Sequence, residues 1–198
     1  MRYVDPDGRD IEVLDDTGKV LESINNYSYY RYKIDENHYL VRDGNKTNKG
    51  NASKKYSAVL DAAIDNHLGT IKIAISDKTI NKHLDGTILM DYAVELEGGG
   101  GCTYNFSKSL KLVTITGRDS IYDIPMENGT THKFAPEEIL MHELVGHAIP
   151  MMLNKTGGSA IFNENTIRKE LGINERKETN KDSVVNRNSN GKFLFMPN

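Results

Sequence analysis

The feature that most constrains this chain is His142-Glu143-Leu144-Val145-Gly146-His147, two imidazoles and a carboxylate within six residues behind an apolar run. Residues of these types at this density are the raw material of a zinc hydrolase: neutral imidazole nitrogens bind the ion and a carboxylate beside them takes a proton from water. The spacing sets a condition on the backbone. Each residue of a regular helix advances about 100°, so histidines at i and i+4 lie about 40° apart, whereas at i and i+5 they diverge by about 140°. His142 and His147 share one ion only if the helix absorbs an extra residue. A one-turn π-bulge does this, and Gly146 is the residue type that best tolerates the distortion. With the bulge in place, Glu143 faces the attacking water as general base. The surroundings predict a mostly buried helix from about residue 136. Pro136 suits a first helical position, Glu137 and Glu138 complement the positive end of the dipole, and Ile139, Leu140, Leu144, Val145 and Ile149 supply apolar surface. Pro150 lacks a backbone donor and is expected to end or kink this helix just past the second histidine.

A catalytic zinc site usually takes three protein ligands and leaves a fourth position open, so two histidines leave at least one ligand to find. Past the turn at Asn154-Lys155-Thr156-Gly157-Gly158, the run from Ser159 to Leu171 reads as a helix with Ser159 as its cap and Gly172 at its end. Ala160, Ile161, Ile167 and Leu171 give it one buried face. Glu164 falls on or beside that face, while Glu170 lies nearer solvent. A carboxylate among apolar neighbours needs a cation, which makes Glu164 the expected third ligand. An ion pair with Arg168 at i+4 is the competing reading, and Arg168 can also steer the carboxylate while its other oxygen binds the ion. His132, in the polar loop 127 to 133, ranks below Glu164 as a ligand.

The six residues from His142 to His147 resemble the zinc helix of the dipeptidyl peptidase III family, which carries the same His-Glu-x-x-Gly-His pattern with one residue inserted into the usual motif. The resemblance implies zinc on His142 and His147, Glu143 as base and hydrolysis of a peptide bond. Glu164 fits the zinc peptidases that take a glutamate from a following helix. At the other end, Arg2-Tyr3-Val4-Asp5-Pro6-Asp7-Gly8-Arg9-Asp10 is similar to the segment that closes the core of RHS-repeat proteins, after which a variable C-terminal toxin domain begins. It implies the end of an RHS-like core or linker over 1–10 and a metallopeptidase toxin domain over 11–198, secreted or delivered into a target cell within a larger protein. The partners implied are a target-cell protein as substrate, a cognate immunity protein and the parent RHS shell. Asp5-Pro6-Asp7-Gly8 is also a good β-turn in its own right. Two alternatives stand beside this reading: a zinc hydrolase of another amide, and a non-catalytic binding or structural cap of the shell that keeps the helix without the ion.

The rest of the chain bounds these expectations. A formal charge of −3 over 198 residues is too evenly balanced for a nucleic-acid binder, and no apolar stretch is long enough to cross a membrane. The single cysteine, Cys102, rules out an intramolecular disulfide and a cysteine zinc cluster, and as a nucleophile it is a weak candidate. Residues 9 to 43 read as strand-rich, with Asp16-Thr17-Gly18 as a hairpin turn, and residues 43 to 55 as a mobile loop. A helix is expected from Lys55 to about Gly69, with His67 as a cap or core-edge residue rather than a ligand. Strands follow over Thr70 to Ser76, Thr87 to Leu96 and Leu112 to Thr116, with a short helix over Lys78 to Leu84. Gly98 to Gly101 reads as a hairpin tip, or as a place where another backbone comes close. The polar stretch past Gly172 reads as a loose arm in which Arg176 is a candidate for binding a substrate carboxylate but is more simply read as solvated, and Lys192 to Met196 as a strand returning to the sheet. Helix, sheet and then metal-bearing helix is the order of a zincin-like α+β single domain, with a twisted sheet packed on that helix; this last step rests on family analogy.

Overall fold

The computed structural model describes residues 11–48, 50–65, 68–75, 79–82, 88–92, 100–120, 122–155 and 159–178. In chain order its elements are β1 (Ile11–Val13), α1 (Thr17–Tyr27), β2 (Tyr30–Ile34), β3 (Leu40–Thr47), α2 (Lys54–Ile64), β4 (Thr70–Ile75), β5 (Thr79–Lys82), β6 (Ile88–Tyr92), β7 (Gly101–Ser107) and β8 (Leu110–Ile115). There follow the two-residue strands β9 (Ile124–Pro125) and β10 (Thr131–His132), then α3 (Pro136–His142), a π-helical turn (Glu143–Ala148), α4 (Ile149–Met152) and α5 (Ala160–Leu171). The architecture is α+β.

Short runs rich in Ile and Val form β1, β4 and β8 of the sheet, and the more polar β7 completes it. Its order is β1-β4-β8-β7, with β1, β4 and β8 parallel and β7 antiparallel to β8 at the edge. The register sets Val13, Ile73, Val113 and Thr103 in one row across the four strands, and Ile75, Ile115 and Gly101 in another. Neighbours in such a row share a face of the sheet. Val13, Ile73, Val113 and Ile115 are buried in one core with Ile139, Leu140, Leu144, Val145, Ala148 and Ile149 of the α3–π–α4 rod. At the β7 end of these rows the side chains shrink to Gly101 and turn polar at Thr103, and there the rod presents Glu143 beside Ile139.

Several expectations give way here. Asp16-Thr17-Gly18 starts a helix rather than a hairpin: the Asp16 carboxylate accepts from the Lys19 backbone N–H, and Val20, Ser23 and Ile24 recur at helical spacing on the buried face of α1. A turn signal and a helix cap use the same residue types, and the apolar period decides between them. The loop expected from residue 43 is strand as far as Thr47, paired with β2. Where a helix was expected over Lys78 to Leu84, Thr79–Lys82 is a strand antiparallel to β6. α5 is capped by Ser159 with Gly172 left-handed at φ 68°, as the sequence indicates, while α2, capped by Ser53, stops at Ile64, short of the expected Gly69. The glycine pair 98–99, His67, the RHS-like segment 1–10 and the run Lys192 to Met196 lie outside the described residues.

Pro150 does not end the α3–π–α4 rod, which continues through Met152. Nor is the first part of the chain past Gly172, residues 173–178, a loose arm; the rest of that expected arm lies outside the described residues. Lys177 N–H donates to the Pro125 carbonyl and Glu127 N–H to that of Glu175, so this segment lies alongside residues 125–127. The side chain of Asn165 grips the same segment from α5, donating to the Arg176 carbonyl at 2.8 Å and accepting from its N–H at 2.7 Å. These bonds bring Arg176 inward, where it is buried.

Candidate metal centre

The π-helical turn is present where the histidine spacing requires it, with the Ile149 N–H reaching back five residues to the Leu144 carbonyl. Gly146 is needed there for contact as well as for distortion. A Cβ at this position would stand 2.9 Å from Ala160 Cβ and 3.3 Å from that residue's backbone, closer than atoms pack. The turn carries His147 round so that its Nε2 lies 3.2 Å from His142 Nε2, the two rings meeting edge to face. Two nitrogens bound to one zinc at about 2.05 Å and the tetrahedral angle stand about 3.3 Å apart, so the pair fits that ion. Among the described residues, one group of potential ligand atoms converges to within 4.8 Å, and its members are His142, Glu143 and His147, all buried.

Glu143 is aimed by the edge strand. Thr103 Oγ1 donates to its Oε2 at 2.6 Å, which fixes the direction of the carboxylate. Gly101 makes room: a Cβ there would fall 2.9 Å from Glu143 Cγ and 2.7 Å from Ile139 Cγ2. The close approach foreseen at the glycine run is thus, at Gly100 and Gly101, an approach by the side chains of Ile139 and Glu143. Cys102 and Tyr104 alternate with these positions. Burial, then Cys102 and Glu143, push the Tyr104 hydroxyl up to about 12.

Glu164 does not join the convergent set. It is fully buried and accepts from His142 Nδ1 at 2.8 Å, on the side of the ring away from Nε2. A carboxylate at Nδ1 fixes the tautomer with the proton on that nitrogen and leaves the Nε2 lone pair for an ion. Behind it runs an alternation of charge: Arg168 Nη1 lies 3.1 Å from Glu164 Oε1 and 3.0 Å from Glu138 Oε1, and Glu138 Oε2 accepts from His132 Nε2 at 2.8 Å. Glu138 therefore belongs to the first turn of the same helix that ends in His142, and Arg168 ties the two ends together through α5. The half-exposed His132 sits at the outer end of this chain and outside the convergent group. Arg176 Nη1 adds a second cation, 3.6 Å from Glu164 Oε2.

These charges set the protonation of the centre. Burial works against a charged His142, but the hydrogen bond and charge of Glu164, with the charge of Glu143, outweigh it and hold this pKa above the ordinary imidazole value. Burial likewise opposes ionisation of Glu164, and the His142 hydrogen bond and charge, with those of Arg176 and Arg168, keep it below the usual carboxylate range. Burial and the positive charges of His142 and Arg176 push His147 down to about 3, so its lone pair is kept. A metal cation bound between the two nitrogens would therefore compete with a proton on His142.

Thr103 and Glu138 were not legible as site residues, and Arg176 was read as solvated rather than as a neighbour of Glu164. The one available signal was Glu138, whose place four residues before His142 puts it on the same helix face. No protein-family model, curated protein or solved structure matches this chain.

Proposed function

We propose that this chain is a zinc-dependent peptidase of zincin-like architecture, the toxin domain of an RHS-repeat effector. The observation that carries the reading is the 3.2 Å approach of the two Nε2 atoms beside a buried, oriented carboxylate. His142 and His147 would hold the ion, and when bound it would supply Lewis acidity at a scissile carbonyl. Glu143 takes a proton from the attacking water as the new C–O bond forms and delivers it to the amine nitrogen as the C–N bond breaks. Thr103 fixes the rotamer in which it does so. Glu164 keeps the His142 ring in place from behind, an orienting part that the distances favour over the ligand part expected from sequence. The antiparallel edge strand β7 lies directly above the base and offers a backbone along which an extended peptide could pair.

The RHS-like first ten residues support delivery within a larger secreted protein, acting on a target-cell protein and restrained by an immunity protein. No described helix is long and apolar enough to cross a membrane. The experiment is incubation of the zinc-loaded chain and its Glu143→Gln variant with a diverse peptide library, read by mass spectrometry. The expected result is new termini with the wild type, none with the variant, and zinc retained by both. Zinc binding without any peptide cleavage would leave hydrolysis of another amide, and neither zinc nor cleavage would leave a structural cap.

A further inference from the structure

A π-bulge leaves a backbone debt. The Ile149 N–H, which in a regular helix would go to the Val145 carbonyl, goes to Leu144 instead, and the next donor in line is missing because residue 150 is proline. Val145 is fully buried, so water does not readily take the place of those donors. The carboxamide of Asn163 does: its Nδ2 donates to the Val145 carbonyl at 3.4 Å, from the α5 turn that also presses Ala160 against Gly146. Asn163 is itself buried, and its Oδ1 makes no hydrogen bond among the described residues. A buried amide satisfied on one side only is a poor choice for stability alone, which singles out the donor as the reason for its presence.

We propose that Asn163 is a positioning residue for the metal centre: by capping the carbonyl that the π-bulge releases, it holds the helix in the register that turns His147 toward His142. Two consecutive residues of α5 then hold the two histidines, Glu164 through the ring of His142 and Asn163 through the backbone that carries His147. Without the cap, the turn relaxes toward α-helical register and His147 rotates away by about 100°. This rests on the zinc reading above for its consequence, but not for the hydrogen bond itself.

The test uses zinc and cobalt(II) as probes on the full chain. Asn163→Ala removes the donor, and Asn163→Asp sets an acceptor against the carbonyl. Tyr32→Phe, which removes a buried β2 hydroxyl bonded to Asp61 and Ser57 of α2, is the control for stability loss alone. Both Asn163 variants should bind zinc about tenfold or more weakly and change the cobalt(II) absorption bands, while the control keeps wild-type affinity and spectrum. Folded Asn163 variants with wild-type affinity and spectrum would overturn the proposal. Should the variants not fold, or the wild type bind neither ion, exchange of the Asn163 side-chain amide protons in the wild type decides. One slowly exchanging proton with a cross-peak to the Val145–Gly146 turn upholds the cap, and exchange at the rate of a free amide removes it. Absence of metal binding by the wild type would count against the zinc reading alone.

Discussion

Replacing Glu164 by Gln separates an orienting carboxylate from a metal ligand. The side chain is fully buried between Arg168 at 3.1 Å, Arg176 at 3.6 Å and His142 Nδ1 at 2.8 Å. Glutamine keeps one acceptor for the Nδ1 proton, but turns an NH2 toward a guanidinium and removes the negative charge between two cations. Breaking a buried pair from one side costs about 3–5 kcal/mol. Because Arg168 retains Glu138 at 3.0 Å, the lower end, about 3 kcal/mol, applies here. For a chain of this size that lowers Tm by roughly 6–12 °C. Loss of an orienting partner weakens metal binding by about 10–100-fold, whereas loss of a first ligand goes well beyond that. Calorimetric unfolding and competition against a chromogenic chelator read the two quantities separately. A Tm and affinity equal to the wild type would refute the placement of Glu164 altogether. A loss of zinc far beyond 100-fold would restore it to the ligand set and refute the orienting role.

Gly146→Ala should lower stability by about 1–3 kcal/mol in chemical denaturation, since its Cβ would meet Ala160 at 2.9 Å. A gain in stability, which helix propensity alone would give, would show that the turn and α5 do not touch. Glu170 is not the idle surface residue its outward position implies. It accepts from Ser53 Oγ at 2.6 Å and from the backbone N–H groups of Lys54 and Lys55, so Glu170→Ala should destabilise by about 1–2 kcal/mol through loss of the α2 cap, with zinc affinity unchanged. A fall in zinc affinity instead would place this residue in the centre.

Features carried by local period and spacing were legible from residues alone. The i, i+5 histidines demanded an inserted turn, and Ser159 with Gly172 bracketed α5. What was not legible depends on chain segments far apart in sequence. Thr103 meets Glu143 only because β7 pairs with β8 in one register, and Arg176 is buried only because residues 125–127 and Asn165 hold its backbone. Glu164 shows the limit most plainly. Its period placed it on the inward face, but which nitrogen of His142 it would meet depends on the packing of α5 against the turn, down to the contact of Ala160 with Gly146. Asp16-Thr17-Gly18 misled for a local reason, because turns and helix caps draw on the same polar residues and the amphipathic spacing of Val20, Ser23 and Ile24 overrode the hairpin signal.

Metal stoichiometry tests the central claim most directly. The chain is stripped with a chelator, reloaded with zinc, desalted and measured by mass spectrometry of the element against protein concentration, beside His142→Ala and His147→Ala. One zinc per wild-type chain and loss of it in both variants is the predicted result. Zero zinc in the wild type, or one zinc retained in either variant, would contradict it: the 3.2 Å approach of the two rings would then be a buried histidine hydrogen bond and not a metal centre.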